Sequence, residues 1–254
     1  MISVITPCLN SAAVIGDCID SVAGQPVAVE HLLVDGGSSD GTLEILREHE
    51  APIKLLSDRV TGIYAAINAG IQAASGDIIG ALNADDFYAT PDILNRVLSA
   101  FEDDRIDACY GDLCYVDGSN PSQIVRYWQA GQFGTERLRH GWMPPHPTFF
   151  IRRQVYERTG LYREDLGTAA DYELMLRVLL KHRIRVTYVP RVIVHMRTGG
   201  ASNASLRARI TANRMDRAAW RVNGLSPYPW TLISKPLRKL PQWWRRPKGP
   251  NSIN

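Results

Sequence analysis

Four short apolar runs of β-prone residues, each followed by a stretch with helical spacing, set the frame of this sequence. The first is Ser3-Val4-Ile5-Thr6, stopped by Pro7; residues 11–22 then carry Val14, Ile15, Cys18, Ile19 and Val22 at helical intervals. His31-Leu32-Leu33-Val34 is the second run, followed by a helix over residues 42–49 that Ser39 or Asp40 is placed to cap. Residues 53–57 and 63–74 make the third pair. Residues 77–82 are almost continuously apolar, which predicts a strand buried on both faces. Repeated strand–helix units predict an α/β fold, with a mostly parallel central sheet and helices on both faces. Right-handed crossovers then bring the C-terminal ends of these strands to one edge, where open α/β sheets bind their ligands.

The polar residues fall at that edge. Thr6 and Pro7 end the first strand, Asp35 the second, Ser57 and Asp58 the third, and Asn83-Ala84-Asp85-Asp86 the fourth. Each cluster alone reads equally well as an ordinary loop; four on one edge favour a ligand site. Beyond Pro91 the pattern loosens. Residues 92–101 and 170–181 read as helices, residues 107–116 and 186–194 as strands, and Pro144-Pro145-His146-Pro147 as a stiff loop. This half is expected to complete a mixed sheet and to build the second wall of a cleft.

Adjacent carboxylates at the end of a buried strand repel one another. Asp85 and Asp86 therefore either cap a turn or hold a cation; with no His or Cys nearby in sequence, hard oxygen ligands point to Mg²⁺ or Mn²⁺. Asp35 and Asp58 are acceptor-only side chains that suit the N–H and O–H donors of a nucleobase and ribose. Otherwise Asp35 caps its turn and Asp58 pairs with Arg59. No GxxxxGK[ST] loop occurs, and Thr6-Pro7-Cys8-Leu9-Asn10 stands where a GxGxxG fingerprint would follow the first strand. The expected ligand is a nucleotide whose diphosphate is held by metal rather than by a glycine-rich loop.

Taken in order, several segments resemble the inverting family 2 glycosyltransferases, most closely bacterial enzymes of exopolysaccharide, colanic-acid or O-antigen assembly. They are Thr6-Pro7-x-x-Asn10, Val34-Asp35-Gly36-Gly37-Ser38-Ser39-Asp40-Gly41-Thr42, Gly62-Ile63-Tyr64 through Gly70, Ser75-Gly76-Asp77 and Asn83-Ala84-Asp85-Asp86. The resemblance covers roughly residues 1–205 and implies a GT-A fold. Residues 1–90 would form a nucleotide-sugar-binding half, 91–205 an acceptor-binding half, and 206–254 a basic, Trp-rich C-terminal helix and tail. By position, Thr6, Pro7 and Asn10 would line the base and ribose pocket. Asp35 would contact the base, with Asp58 beside it. Asp85 and Asp86 would stand for the DxD-type element, Asp86 being the more direct metal ligand. Asp171, in Ala170-Asp171-Tyr172-Glu173-Leu174, would be the catalytic base at a helix N-terminus; as a first-turn carboxylate it also suits the helix dipole. The sequence departs from the family pattern at Asn83, where Asp is common, at Ala65, where Asp is common, and at Ala69, where Lys is common.

The implied reaction is sugar transfer from a nucleotide-diphosphate sugar to a hydroxyl of a saccharide or lipid-linked acceptor, with inversion, in cell-surface polysaccharide synthesis. A nucleotidyltransferase or another nucleotide-sugar-using enzyme is the alternative, although no basic glycine-rich phosphate loop is visible. A glycoside hydrolase would need two carboxylates but neither metal nor nucleotide edge. His146 is a candidate acceptor contact, competing with a loop role. Arg197, opening Arg197-Thr198-Gly199-Gly200-Ala201-Ser202, is a candidate flap residue, competing with a plain surface loop. His195 is either an extra metal ligand or a packed histidine.

Charge is unevenly spread. Residues 206–254 carry 11 basic side chains and one acidic one, a net of +10, while the other 205 residues carry 18 basic and 25 acidic, a net of −7. An acidic body argues against nucleic acid as partner; a basic tail holding Trp220, Trp230, Trp243 and Trp244 suits an anionic membrane surface. Packing of the tail on the acidic body is the competing arrangement. Cys8, Cys18, Cys109 and Cys114 show no metal-like spacing and read as reduced thiols. The start of the sequence lacks a signal-peptide pattern, and the longest uncharged run, residues 60–76, is too short and polar to span a bilayer. A cytoplasmic location, peripheral on the inner face of the cell membrane, is the expectation.

Overall fold

A computed structural model of the chain describes residues 1–56, 60–199, 206–231, 234–235 and 238–247, the side chains of residues 206–212 excepted. The expected strand–helix alternation is present. It runs β1 (Ile2–Cys8), α1 (Ile15–Ala23), β2 (Val29–Asp35), α2 (Thr42–Glu48), β3 (Ile53–Leu56), α3 (Ile63–Ala73) and β4 (Ile78–Ala81). A short strand, β5 (Asp86–Tyr88), and a helix, α4 (Ile93–Ala100), follow. The second half contains β6 (Ala108–Val116), β7 (Ile124–Trp128), α5 (Thr135–Arg139), β8 (Phe150–Arg152), α6 (Arg153–Thr159), α7 (Ala170–Leu176), β9 (Val186–Arg197) and α8 (Leu206–Val222).

The strands form one mixed sheet in the order β3-β2-β1-β4-β8-β6-β9-β5, with β7 also paired to β6. β1, β2, β3 and β4 are mutually parallel. β8 is antiparallel to both β4 and β6, and β6 is parallel to β9. Two reversals restore the direction, so β6 and β9 point the same way as β1. The C-terminal residues Cys8, Asp35, Leu56, Ala81, Val116 and Arg197 therefore share one edge.

Alternation along β1 splits the core. Ile5 joins Leu32, Val34, Ile67, Ile71 and Ile79 on the face covered by α3, α6 and α7. Val4 and Cys8 join Ile15, Ile19, Leu33, Leu94 and Val97 on the face covered by α1, α2 and α4. All seven residues of β1 are buried, which is why its sequence lacks the polar alternation of a half-exposed strand. At Gly70 a Cβ would stand 2.4 Å from a methyl of Ile5, so glycine lets α3 lie against β1.

Three details differ from the sequence-based expectation. Asp86, read as the end of the fourth strand, instead opens β5, after a turn in which its N–H donates to the carbonyl of Asn83. β5 pairs antiparallel with β9, matching Phe87 with His195. The helix expected over 170–181 is α-helical only to Leu176 and continues as a π-helical turn over Arg177–Lys181. β9 runs through Pro190 to Arg197 and shifts register against β6 between Tyr110 and Leu113, absorbing the missing N–H.

Candidate active site

At the edge, the loop after β1 and the loop after β2 are stitched together. Asn10 adopts a left-handed backbone at φ 52° and accepts a hydrogen bond from Ser39 N–H at 2.9 Å, while its own N–H donates to Ser38 Oγ at 2.9 Å. Asp35 Oδ2 accepts from the N–H groups of Gly37 and Ser38 at 2.9 and 3.0 Å. Its carboxylate thus caps its own loop; burial of the Cys8 thiol, then the Asp35 charge beside it, push that thiol up to about 12. Pro7 is buried in β1. Thr6 is fully buried, its Oγ1 2.9 Å from His31 Nε2, and so ties β1 to β2 beneath the edge. Asp58 and residues 200–205, which include Gly200-Ala201-Ser202 of the expected flap, lie outside the described residues.

Beside β4 the electrostatics are unusual. Asp86 is fully buried; Oδ2 accepts from Asn83 Nδ2 at 2.9 Å, and Oδ1 has no hydrogen-bond partner. Burial first, then the charge of Asp85, hold its carboxyl well above the usual range. Asp85 is half-buried, and its carbonyl accepts from Arg197 Nη1 at 3.1 Å. Arg197 is nearly buried, pairs with Asp17 of α1 and stacks over Phe87 at 5.1 Å. His195 lies edge-on to Phe87, with ring centroids 5.3 Å apart. Its Nε2 is buried without a partner, and burial lowers its pKa to about 4. Of the two readings of His195, the structure shows the packed histidine, with Nε2 unpartnered.

Asp171 comes to the same edge from the second half of the chain. It occupies the first turn of α7, where Oδ1 accepts from the N–H of Tyr172 at 2.7 Å. Oδ2 stands 3.2 Å from Nδ1 of His146. Burial and the neighbouring Asp171 charge push the Tyr64 phenol above its ordinary pKa. Tyr64 lies in the first turn of α3, which leaves the C-terminal end of β3, so the Asp171 charge acts on that end of the sheet. Tyr64 also stacks on Tyr162 at 5.4 Å. Behind the site, Glu173 and Arg177 form a buried pair at 3.0 Å, and Arg177 also donates to the carbonyls of Thr159, Gly160 and Leu161. This anchors the helix that carries Asp171.

Sequence reasoning placed Asp171 and His146 separately. Their pairing, Asp17 as the partner of Arg197, and Tyr64 against Asp171 went unseen. Only the proline-flanked setting of His146 signalled a fixed side chain.

A buried carboxylate oxygen without a partner fits a hard cation. Among the described residues, however, no three His, Cys, Asp or Glu side chains gather to hold a metal by themselves. The donor set therefore suits an ion that completes its shell with water and phosphate oxygens.

The mixed sheet with its parallel C-terminal edge has the architecture of a GT-A glycosyltransferase, and the chain belongs to glycosyl transferase family 2, whose model matches residues 3–160. It is 32% identical over 210 residues to a PGL/p-HBAD biosynthesis glycosyltransferase of Mycobacterium bovis BCG, spanning 80% of this chain and 79% of that protein. It is 28% identical over 196 residues to a chondroitin synthase of Pasteurella multocida, covering 74% of this chain and 20% of the synthase. Among solved structures, S. aureus TarS in complex with UDP-GlcNAc superposes with a TM-score of 0.68 at 17% identity, over 92% of this chain and 69% of that one. A Pyrobaculum calidifontis mannosyltransferase in complex with GDP-Man and Mn²⁺ gives 0.64 at 18% identity, over 92% and 68%. The GT-A architecture and the glycosyltransferase class expected from the sequence are thus both borne out.

The C-terminal region packs on the body where it is described. Trp220 is fully buried and donates from Nε1 to the Tyr172 hydroxyl at 2.9 Å. Ser234 Oγ donates to the His140 carbonyl at 2.7 Å, and Arg238 Nε to the same oxygen at 2.9 Å. Trp230, Trp243 and Trp244 stay 49%, 50% and 75% exposed. Among the described residues, no helix is long and apolar enough to cross a membrane.

Proposed function

We propose that the chain transfers a glycosyl group from a nucleoside-diphosphate sugar to an acceptor hydroxyl in one inverting displacement, with Asp171 as the base. The observation that carries this is Asp171 at the first turn of α7, fixed by His146 Nδ1 at 3.2 Å and by the Tyr172 N–H, in a chain of glycosyl transferase family 2. Residues 1–90 serve the donor and residues 91–205 the acceptor. Asn10 and Asp35 shape the nucleoside pocket by fixing the two edge loops, Thr6 and Pro7 support them from within β1, and Asp58 serves the same pocket.

In the reaction, the acceptor oxygen bonds to the anomeric carbon as the bond from that carbon to the diphosphate oxygen breaks. The electron pair leaves with the diphosphate. Asp171 takes the acceptor proton on the opposite face, a contribution of about 10²–10⁴-fold. With Nδ1 protonated, His146 donates to Asp171 Oδ2 and turns the carboxylate toward the acceptor. Asp86 and Asp85 would hold Mg²⁺ or Mn²⁺, which when bound supplies fixed positive charge for the departing diphosphate. Arg197 keeps the Asp85 backbone in place through its carbonyl.

A donor-hydrolysis screen over UDP, GDP and ADP sugars with Mn²⁺ tests this, run beside Asp171→Asn. Turnover of one donor class, cut by about 10²-fold or more in the variant, is expected; wild-type turnover by Asp171→Asn sinks the assignment.

A further inference from the structure

Asn68 breaks the apolar pattern of α3. The other buried residues of that helix are Ala66, Ile67, Gly70 and Ile71, and Asn68 lies among them at 7% exposure. Asparagine favours a helix interior less than alanine does, and a buried amide destabilises the fold unless its polar atoms find partners. Here they find them on one segment. Oδ1 accepts from the N–H of Tyr162 at 3.0 Å. Nδ2 donates to the carbonyl of the same residue at 2.9 Å and to Glu164 Oε1 at 2.8 Å. One turn earlier on α3, Tyr64 stacks on the Tyr162 ring at 5.4 Å. The helix therefore grips Tyr162 by its backbone and by its side chain.

The gripped segment leads to the base. The carbonyls of Thr159, Gly160 and Leu161, just before Tyr162, accept from Arg177 in the turn that continues α7. Arg177 pairs in turn with Glu173, two residues after Asp171. Residues 159–164 are thus held on one side by α3, from the donor half, and on the other by the helix that carries Asp171. Apolar contact alone is non-directional and would let these elements slide. Three hydrogen bonds from one amide set a register, because each requires its own distance and angle. An in-line displacement needs that register, since a misplacement of about 1 Å can cost about 10²-fold in rate.

We propose that Asn68 is a positioning residue for the base. It fixes residues 159–164 on α3 and, through Arg177 and Glu173, sets Asp171 against the donor edge. The inference rests on the reading of Asp171 as the base, and goes beyond it by naming what places that base relative to the donor.

Asn68→Ala and Asn68→Asp are compared with wild type in the full chain, at a temperature where each is fully folded by its thermal melt. For the donor class that the wild type turns over, kcat is expected to fall by about tenfold or more in Asn68→Ala, with the donor KM within about twofold. Asn68→Asp keeps an acceptor for the Tyr162 N–H but sets a carboxylate against Glu164. Adding Glu164→Gln replaces that repulsion with an amide donor and should recover at least about threefold of the lost kcat. Amide exchange read by mass spectrometry over residues 161–172 should quicken by about tenfold or more in Asn68→Ala, with β1 and β2 at wild-type rates. A lowered melting temperature with unchanged kcat would make Asn68 a structural contact only and overturn the proposal. So would a loss expressed in donor KM alone, no recovery on adding Glu164→Gln, or faster exchange confined to residues 161–164. If Asn68→Ala does not fold, Asn68→Asp with and without Glu164→Gln carries both measurements. A wild type that turns over no nucleotide sugar would count against the transferase reading instead, and the exchange measurement would still decide whether Asn68 holds the first turn of α7.

Discussion

The imidazole Nδ1 of His146 stands 3.2 Å from Oδ2 of Asp171, joining a proline-framed loop to the first turn of α7. The carboxylate is held at both oxygens, by His146 and by the Tyr172 N–H, and keeps 15% of its side-chain surface open. A base so held loses less in orientation when the acceptor arrives.

His146→Ala should therefore lower kcat by about tenfold or more while leaving the donor KM within about twofold. Steady-state kinetics with varied donor at saturating acceptor check this. A raised acceptor KM with unchanged kcat would instead make His146 a simple acceptor contact.

Asp86 carries an ionisable group in a place that disfavours its charge. A carboxyl with a folded pKa above its unfolded one stabilises the fold at low pH, and that contribution is lost as pH rises through the folded value. Asp86→Asn should then raise the melting temperature of the metal-free chain at neutral and alkaline pH. The same substitution should erase Mn²⁺-dependent stabilisation by UDP or GDP, worth about 2.7 kcal/mol in the wild type at a hundredfold excess over Kd. Differential scanning fluorimetry reads both, and a persistent Mn²⁺ response in the variant would remove Asp86 from the metal site.

His31 and His195 are both buried, with pKa values lowered by burial to about 3 and about 4. Between those values and about 6.5 the unfolded chain binds more protons than the folded one, so stability falls as pH drops through that window. Each histidine contributes up to about 1.4 kcal/mol per pH unit there. His31→Gln, which can still meet Thr6, should flatten the loss in urea denaturation series from pH 6.5 to 4.5. An unchanged slope would mean that His31 is already charged in the fold.

Trp220 binds the tail to the body through full burial, its contact with Tyr172 and its N–H bond. Trp220→Ala should cost about 3–5 kcal/mol in reversible denaturation. A loss under about 1 kcal/mol would show that α8 is dispensable to the core.

The order of strands and helices through β4 was legible because each unit follows local rules: apolar period, turn-forming residues, caps. The same holds for residue types at the edge, since a strand end followed by Asp or Asn is written in the chain itself. Which of those side chains face a ligand was not. Asp35 and Thr6 turn to Gly37, Ser38 and His31, partners that a strand pattern does not specify. Nor was β5 expected, because three residues pairing with β9 depend on a strand a hundred positions away.

The sequence by itself determined the α/β frame, the carboxylates at its edge and the excess of positive charge after residue 205. Only the tertiary structure decided that His146 meets Asp171, that Arg197 meets Asp17, and that the tail closes a cationic hollow against α5. The physical reason is range. Backbone periodicity is fixed by neighbours a few residues apart, whereas these contacts join side chains 25 to 180 positions apart and exist only once the sheet has set their distance.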